Sequence, residues 1–166
     1  MITVPVDRRG RACSVATIPM PRYETSVASP WSIERAFHYL ADLEHFADWD
    51  PGVTRAVRVA GDGPGEGAAF DVTVKGVGKD MTLRYVTVVH SPPRRLEVEA
   101  RTSSLVSYDV MTLEDRGQDG CVVTYAAELN LRGVRSVANP LLGLAFKRIG
   151  DRAAVGLRRA LEAREA

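Results

Sequence analysis

Apolar residues recur along this chain at two spacings, and the change from one to the other divides it into elements. Residues 22–28, RYETSVA, alternate with Tyr23, Thr25 and Val27 on one face, which predicts a strand. Ser29-Pro30 then reads as a helix start, with Ser29 as cap and Ile33, Phe37 and Leu40 on one face of a helix over 31–41. A second short helix is predicted over 43–48, ended by Trp49-Asp50-Pro51-Gly52, because the residue before a proline avoids the helical region. From Val53 the period is two. Val53, Val57 and Val59 alternate, GDGPGEG at 61–67 turns the chain, and Phe70, Val72 and Val74 alternate again before a turn at Gly76 to Gly78. Met81, Leu83, Tyr85 and Val89 share a face, followed by Ser91-Pro92-Pro93 and then by Leu96, Val98 and Ala100 opposite Glu97, Glu99 and Arg101. Residues 105–115 form a further strand, and after Gly117–Gly120 the last one places Val123, Tyr125, Ala127 and Leu129 on one side. Short turns between consecutive strands imply an antiparallel meander with one wet and one dry face.

The period returns to three and four over 135–164, where Leu142, Phe146, Ile149, Ala153, then Gly156 or Leu157, and Ala160 or Leu161 stack on one face of a long helix. Asn139 is placed to cap it and Pro140 suits its first position. Gly143, Gly150 and Gly156 interrupt it, each at about 1 kcal/mol relative to Ala, which points to close approach or to room left deliberately. The expected class is α+β: a curved antiparallel sheet of about seven strands wrapped around a long C-terminal helix, with two short helices after the first strand. Residues 1–19 hold neither period and read as a poorly ordered leader, leaving 20–166 as one domain.

Composition narrows the function. Of the 166 residues 45% are apolar and 26% charged, and a formal net charge of +1 argues against a nucleic-acid surface or an acidic membrane as main partner. Cys13 and Cys121 form no CxxC, so neither a disulfide framework nor a zinc site is indicated and a reducing cytoplasm fits. No apolar run approaches the roughly 20 residues of a membrane span, so no stable membrane insertion is expected. His38 and His45 lie seven apart near Asp42 and Asp48, but without HxxxH or HExxH no metal is expected, and no cofactor. The glycine-rich 61–67 lacks GxxxxGK[ST] and leads into a strand, so it reads as a hairpin turn.

Several marks in order, Phe46, Trp49, Asp50 and Pro51 in LEHFADWDPGV, then Ser91-Pro92-Pro93-Arg94-Arg95-Leu96, Gly120 before CVVTYAAEL, and RIGDRAAVGLRRALE, resemble the START-like (SRPBCC) superfamily. Within it they are most similar to the polyketide cyclase/dehydrase and lipid transport group, over roughly 22–163. The resemblance implies a helix-grip fold and a ligand cavity between sheet and helix. It fixes no activity, since carriers, sensors, cyclases and dehydratases share it, and no catalytic motif transfers residue by residue. A dry, empty pocket of about 300 Å³ would cost roughly 7 kcal/mol, close to the whole stability of a domain. Such a pocket is therefore wet, filled by a ligand, or smaller.

The candidate lining comes from the inward faces. Phe46 and Trp49 follow from the second helix, and Val57, Phe70, Val72, Val74, Leu83, Tyr85, Leu96 and Val98 from the strands. Tyr108 and Tyr125 come from the last two strands, and Leu142, Phe146 and Ile149 from the terminal helix. In 105–115 two parities compete. With Val106, Tyr108 and Val110 inward, Asp109 is a solvated surface charge, and this is the favoured reading; with Asp109, Met111 and Leu113 inward, Asp109 is a buried carboxylate able to act as general acid or base. Asp109, Tyr125 and Arg55 are the candidate catalytic groups, Arg55 as a cation for a carboxylate or enolate oxygen. Three functions compete: holding a small hydrophobic or amphipathic molecule such as a lipid, fatty acid or polyketide-like compound; an aromatase/cyclase or dehydratase-type enzyme; and a pocketless module that contacts a protein through loops 61–67 and 76–79. The first is preferred. Oligomeric state is left open.

Overall fold

The computed structural model describes residues 22–76, 78–132 and 139–162, the side chains of 139–145 excepted. The expected leader, 1–19, and the Leu142 side chain lie outside the described residues. Seven strands form one sheet in the order β1-β7-β6-β5-β4-β3-β2, every pairing antiparallel. They are β1 (Arg22–Ser29), β2 (Val53–Ala60), β3 (Ala69–Val74), β4 (Met81–Ser91), β5 (Arg95–Arg101), β6 (Leu105–Asp115) and β7 (Cys121–Leu131). From β2 onward each strand pairs with the next, the meander that the alternation and short turns dictate. β1 crosses to the far edge and pairs with β7. Helices α1 (Ile33–Ala41) and α2 (Phe46–Trp49), joined by a single 3-10 turn at Leu43–His45, fill the connection from β1 to β2. The fold is the α+β helix-grip arrangement expected from the sequence.

The helix start differs by a few residues from expectation. Ser32, not Ser29, caps α1, its hydroxyl accepting from the Arg35 N–H at 3.3 Å. Ser29 ends β1 instead. Its buried hydroxyl donates to the Leu161 carbonyl at 2.7 Å and accepts from the Trp31 N–H at 3.2 Å, so it ties the last turn of the terminal helix to the first strand. A helix end leaves carbonyls without intrahelical partners, and Ser29 supplies one.

Helix α3 (Asn139–Glu162) lies along β1 and α2. Two of its glycines are contact points. A Cβ at Gly150 would overlap the Tyr23 ring, and one at Gly156 would collide with the Trp49 carbonyl, so glycine lets α3 approach both neighbours. Beyond Gly156 the interface is solid, with Leu157 and Leu161 fully buried in a core that includes Val27, Phe37, Leu43, Val123 and Leu113. Before it, towards Phe146, Gly150 holds α3 against Tyr23 on β1 while the helix stands apart from the inner faces of β3, β4, β6 and β7.

Candidate functional site

That separation is a cavity of about 490 Å³ bounded by α3, Phe46 of α2 and the loop after that helix, Tyr23 of β1 and the inner faces of β3, β4, β6 and β7. Left dry and empty, it would cost about 12 kcal/mol at the usual cavity coefficient, as much as a typical domain's entire stability. The space is therefore solvated or occupied.

Small residues on the strands decide how its polar groups meet. Ala100 on β5 stands between Tyr85 on β4 and Ser107 on β6 in one cross-strand row. With only a methyl intervening, the Tyr85 hydroxyl crosses over β5 and donates to the Ser107 hydroxyl at 2.9 Å. Asp109 is next inward on β6, directly opposite Ala127 on β7, so the neighbouring inward residue Tyr125 reaches it on the diagonal and its hydroxyl hydrogen-bonds the carboxylate. Asp109, Tyr125, Tyr85 and Ser107 thus form one buried polar cluster on an otherwise apolar wall. Asp50 faces the same cavity from the loop after α2, one of its oxygens accepting from the Gly52 N–H at 2.7 Å.

The electrostatics follow from this placement. Asp109 is 3% exposed, and its pKa is pushed up to about 7, first by burial and then by the charge of Asp50, against the opposing hydrogen bond from Tyr125. Burial raises Tyr85 and Tyr125 well above the ordinary phenol value, and the carboxylates of Asp109 and Asp50 push in the same direction. Burial also raises Asp50, opposed by the Gly52 N–H and by Lys75. At neutral pH the cluster holds a carboxyl group close to its titration midpoint beside neutral hydroxyls, the condition for exchanging protons with a bound molecule.

The mouth differs from the floor. Ile149 is 46% exposed and Met81 40%, and the two cationic lining residues, Lys75 and Arg152, are exposed. The Lys75 ammonium donates to the Pro51 carbonyl at 2.7 Å. Tyr23, Phe46, Val74, Leu83, Leu129 and Phe146 line the walls between.

Among the residues singled out from the sequence, Phe46, Val74, Leu83, Tyr85, Tyr125, Phe146 and Ile149 border the cavity, as does Asp109. Trp49 stands behind the wall: it stacks on Phe46 with ring centroids 4.6 Å apart and meets Tyr125 edge-on at 5.4 Å. Phe70, Val72, Leu96 and Val98 are buried in the solid core away from the cavity. Val57 is half-buried on β2, outside the lining, where bulges at both ends of the pairing with β3 break the strict alternation. Arg55 on the same strand is exposed and does not reach the cavity.

The favoured parity of β6 is reversed. Asp109 points inward with Leu105, Ser107, Met111 and Leu113, while Tyr108 lies on the outer face and donates to Glu97. Glu97, also held by Arg95 at 2.6 Å, is the polar anchor that an outward tyrosine needs. Ser107, Tyr23 and Ala127 carry no sequence signal that marks them as lining, and Asp50 before Pro51 reads as a helix stop in preference to a catalytic acid. In the structure Asp50 ends α2 and also faces the cavity.

Comparison with known proteins places this geometry. The family model described as polyketide cyclase / dehydrase and lipid transport matches residues 20–162. No curated protein sequence matches the chain. A START superfamily protein from Mycobacterium smegmatis superposes with a TM-score of 0.69 at 12% identity, covering 84% of this chain and 96% of that one. The Zhui aromatase/cyclase from a Streptomyces species superposes at 0.67 with 14% identity, covering 86% and 92%. At such identities the likeness is one of fold. No helix among the described residues is long and apolar enough to cross a membrane.

Proposed function

From the premise that the chain belongs to the polyketide cyclase/dehydrase and lipid transport family, we propose that it holds one small, mostly apolar molecule in the cavity, with the molecule's polar group at the Asp109 cluster. The observation that carries this reading is the 490 Å³ space itself, largely apolar along its walls, with a buried polar cluster where Asp109, Tyr125, Tyr85 and Ser107 converge and with Asp50, Lys75 and Arg152 nearer the mouth. Apolar walls supply affinity by releasing water, and a few placed polar groups fix orientation. A cavity at the low to middle of the usual ligand range suits a single compound of modest size. Solvent extraction of the purified protein followed by mass spectrometry tests this, together with a thermal-shift screen of uncharged apolar compounds. A ligand present at 100 times its Kd adds about 2.7 kcal/mol, a rise of several degrees in Tm. No shift across the whole screen, and nothing extracted, would contradict the reading.

A second reading has its own support. Asp109 pairs a carboxyl poised near neutrality with a phenol, a combination able to move a proton to or from the carbon beside a carbonyl, as enolisation in a cyclase or dehydratase requires. Deuterium uptake beside the carbonyl of 2-decanone tests it. The enzyme reading expects exchange with protein present and a loss of about a hundredfold in Asp109→Asn. Exchange no faster than in buffer leaves binding alone.

A further inference from the structure

We propose that the inner end of the cavity admits an uncharged hydroxyl and rejects an ionised carboxylate, so that the ligand is an alcohol or phenol in preference to a fatty acid. This rests on the binding reading above and narrows it to a chemical class. Two carboxyl groups face the same enclosed space, Asp109 from β6 and Asp50 from the loop after α2. The other polar groups around Asp109 are the hydroxyls of Tyr125 on β7, Tyr85 on β4 and Ser107 on its own strand. Among the described lining residues the cations are Lys75 and Arg152, both exposed at the mouth, with Lys75 bound to the Pro51 carbonyl. Lys75 acts on Asp50 at the mouth side of the space, but among the described residues no positive charge accompanies Asp109 at depth.

A ligand hydroxyl satisfies what is there. Tyr125 occupies one side of the Asp109 carboxylate, and a carboxylate has capacity for further donors, so a ligand O–H donates to it. The Ser107 oxygen accepts from Tyr85, which leaves the Ser107 hydrogen to be given to the ligand oxygen. With Asp109 ionised, an ionised ligand carboxylate brings acceptors alone to a group that needs donors, and adds a like charge where burial leaves little water to screen it.

The test is displacement of Nile red, an uncharged probe, from the full-length protein at pH 8 by 1-decanol and by decanoate. Any apolar pocket favours the alcohol to some degree, so the readout is how the ratio of the two inhibition constants changes on substitution. The expected result is a ratio that falls at least tenfold in Asp109→Asn, mainly through tighter decanoate binding. Asp50→Asn, on a half-buried loop, is the second variant, with an expected fall of at least threefold. A ratio unchanged in both variants would overturn the proposal, placing the decanoate head at the mouth beside Lys75 and Arg152 while the binding reading stands. Failure of Nile red and both compounds to bind the wild-type protein would remove the binding reading and this proposal together.

Discussion

Replacing Asp109 with Asn should make stability less sensitive to pH, and the size of the change follows from the position of the carboxyl. In the folded protein its pKa is about 7 against an ordinary value of 3.8, with burial the leading cause and the Asp50 charge next. Between these values the unfolded chain has released the proton and the folded chain retains it, so the unfolded state binds fewer protons and stability declines as pH rises. The loss begins near pH 4, runs through pH 7 and is complete above it. This is the reverse of the usual salt-bridged carboxylate. Each unit is worth 1.36 kcal/mol, so the full penalty is about 4 kcal/mol, of which about 3 kcal/mol falls between pH 5 and pH 8. Asn does not titrate. Whatever the fixed cost of the substitution, the stability of the variant relative to wild type should improve by about 3 kcal/mol from pH 5 to pH 8, on the order of 5–10 °C in Tm. Urea denaturation of both proteins at pH 5, 6, 7 and 8 measures this, and the subtraction removes other carboxylates such as the half-buried Asp71, whose pKa the Arg84 partner lowers and whose contribution therefore runs in the opposite direction. A difference between the two proteins that does not change with pH would refute the buried, poised carboxyl.

Other consequences of the packing can be checked separately. Gly156→Ala should destabilise by about 1–3 kcal/mol in denaturant titration, although Ala is the better helix former, because the added methyl meets the Trp49 carbonyl; a stabilised variant would mean that α2 and α3 are not in contact there. Ser29→Ala should cost about 1–2 kcal/mol by freeing the buried Leu161 carbonyl, measured the same way. Tyr85→Phe should weaken binding of a hydroxylated ligand severalfold in calorimetry, whereas Tyr108→Phe, on the outer face, should leave the affinity within twofold. Equal effects of the two substitutions would contradict the strand parity.

Most elements were legible because they are written in one clean period, β2 with its bulges being an exception. The one-sided run Leu96, Val98, Ala100 admits only one inward face, and all three are buried; on α3 the spacing leaves Gly156 or Leu157 and Ala160 or Leu161 open, and burial selects Leu157 and Leu161. The site was harder to read. In β6 a window confined to Val106, Tyr108 and Val110 favours the wrong parity; extended to the strand ends, Leu105, Met111 and Leu113 outweigh a face that closes on Thr112 and Glu114. Even so, a carboxylate among them conflicts with the expectation that charges stay wet, and such conflicts mark functional positions. Phe70, Val72, Leu96 and Val98 share inward parity with the true lining, and parity alone does not tell cavity wall from solid core. That distinction comes from where α3 touches the sheet, set by glycines at 150 and 156 whose partners, Tyr23 and Trp49, are distant in sequence. Likewise the Tyr85–Ser107 bond needs the register that puts Ala100 between them, which no local pattern encodes.

The central claim is a hollow between α3 and the sheet that a molecule can enter, and blocking it is the most direct test. Ala127→Trp projects an indole from β7 into the 490 Å³ space, opposite Asp109. Titration of wild type and variant with Nile red, with far-UV circular dichroism to confirm that both are folded, should give saturable one-to-one binding by wild type and at least a tenfold weaker Kd for the variant. Equal binding by the two folded proteins would contradict the account, because the probe would then be sitting elsewhere.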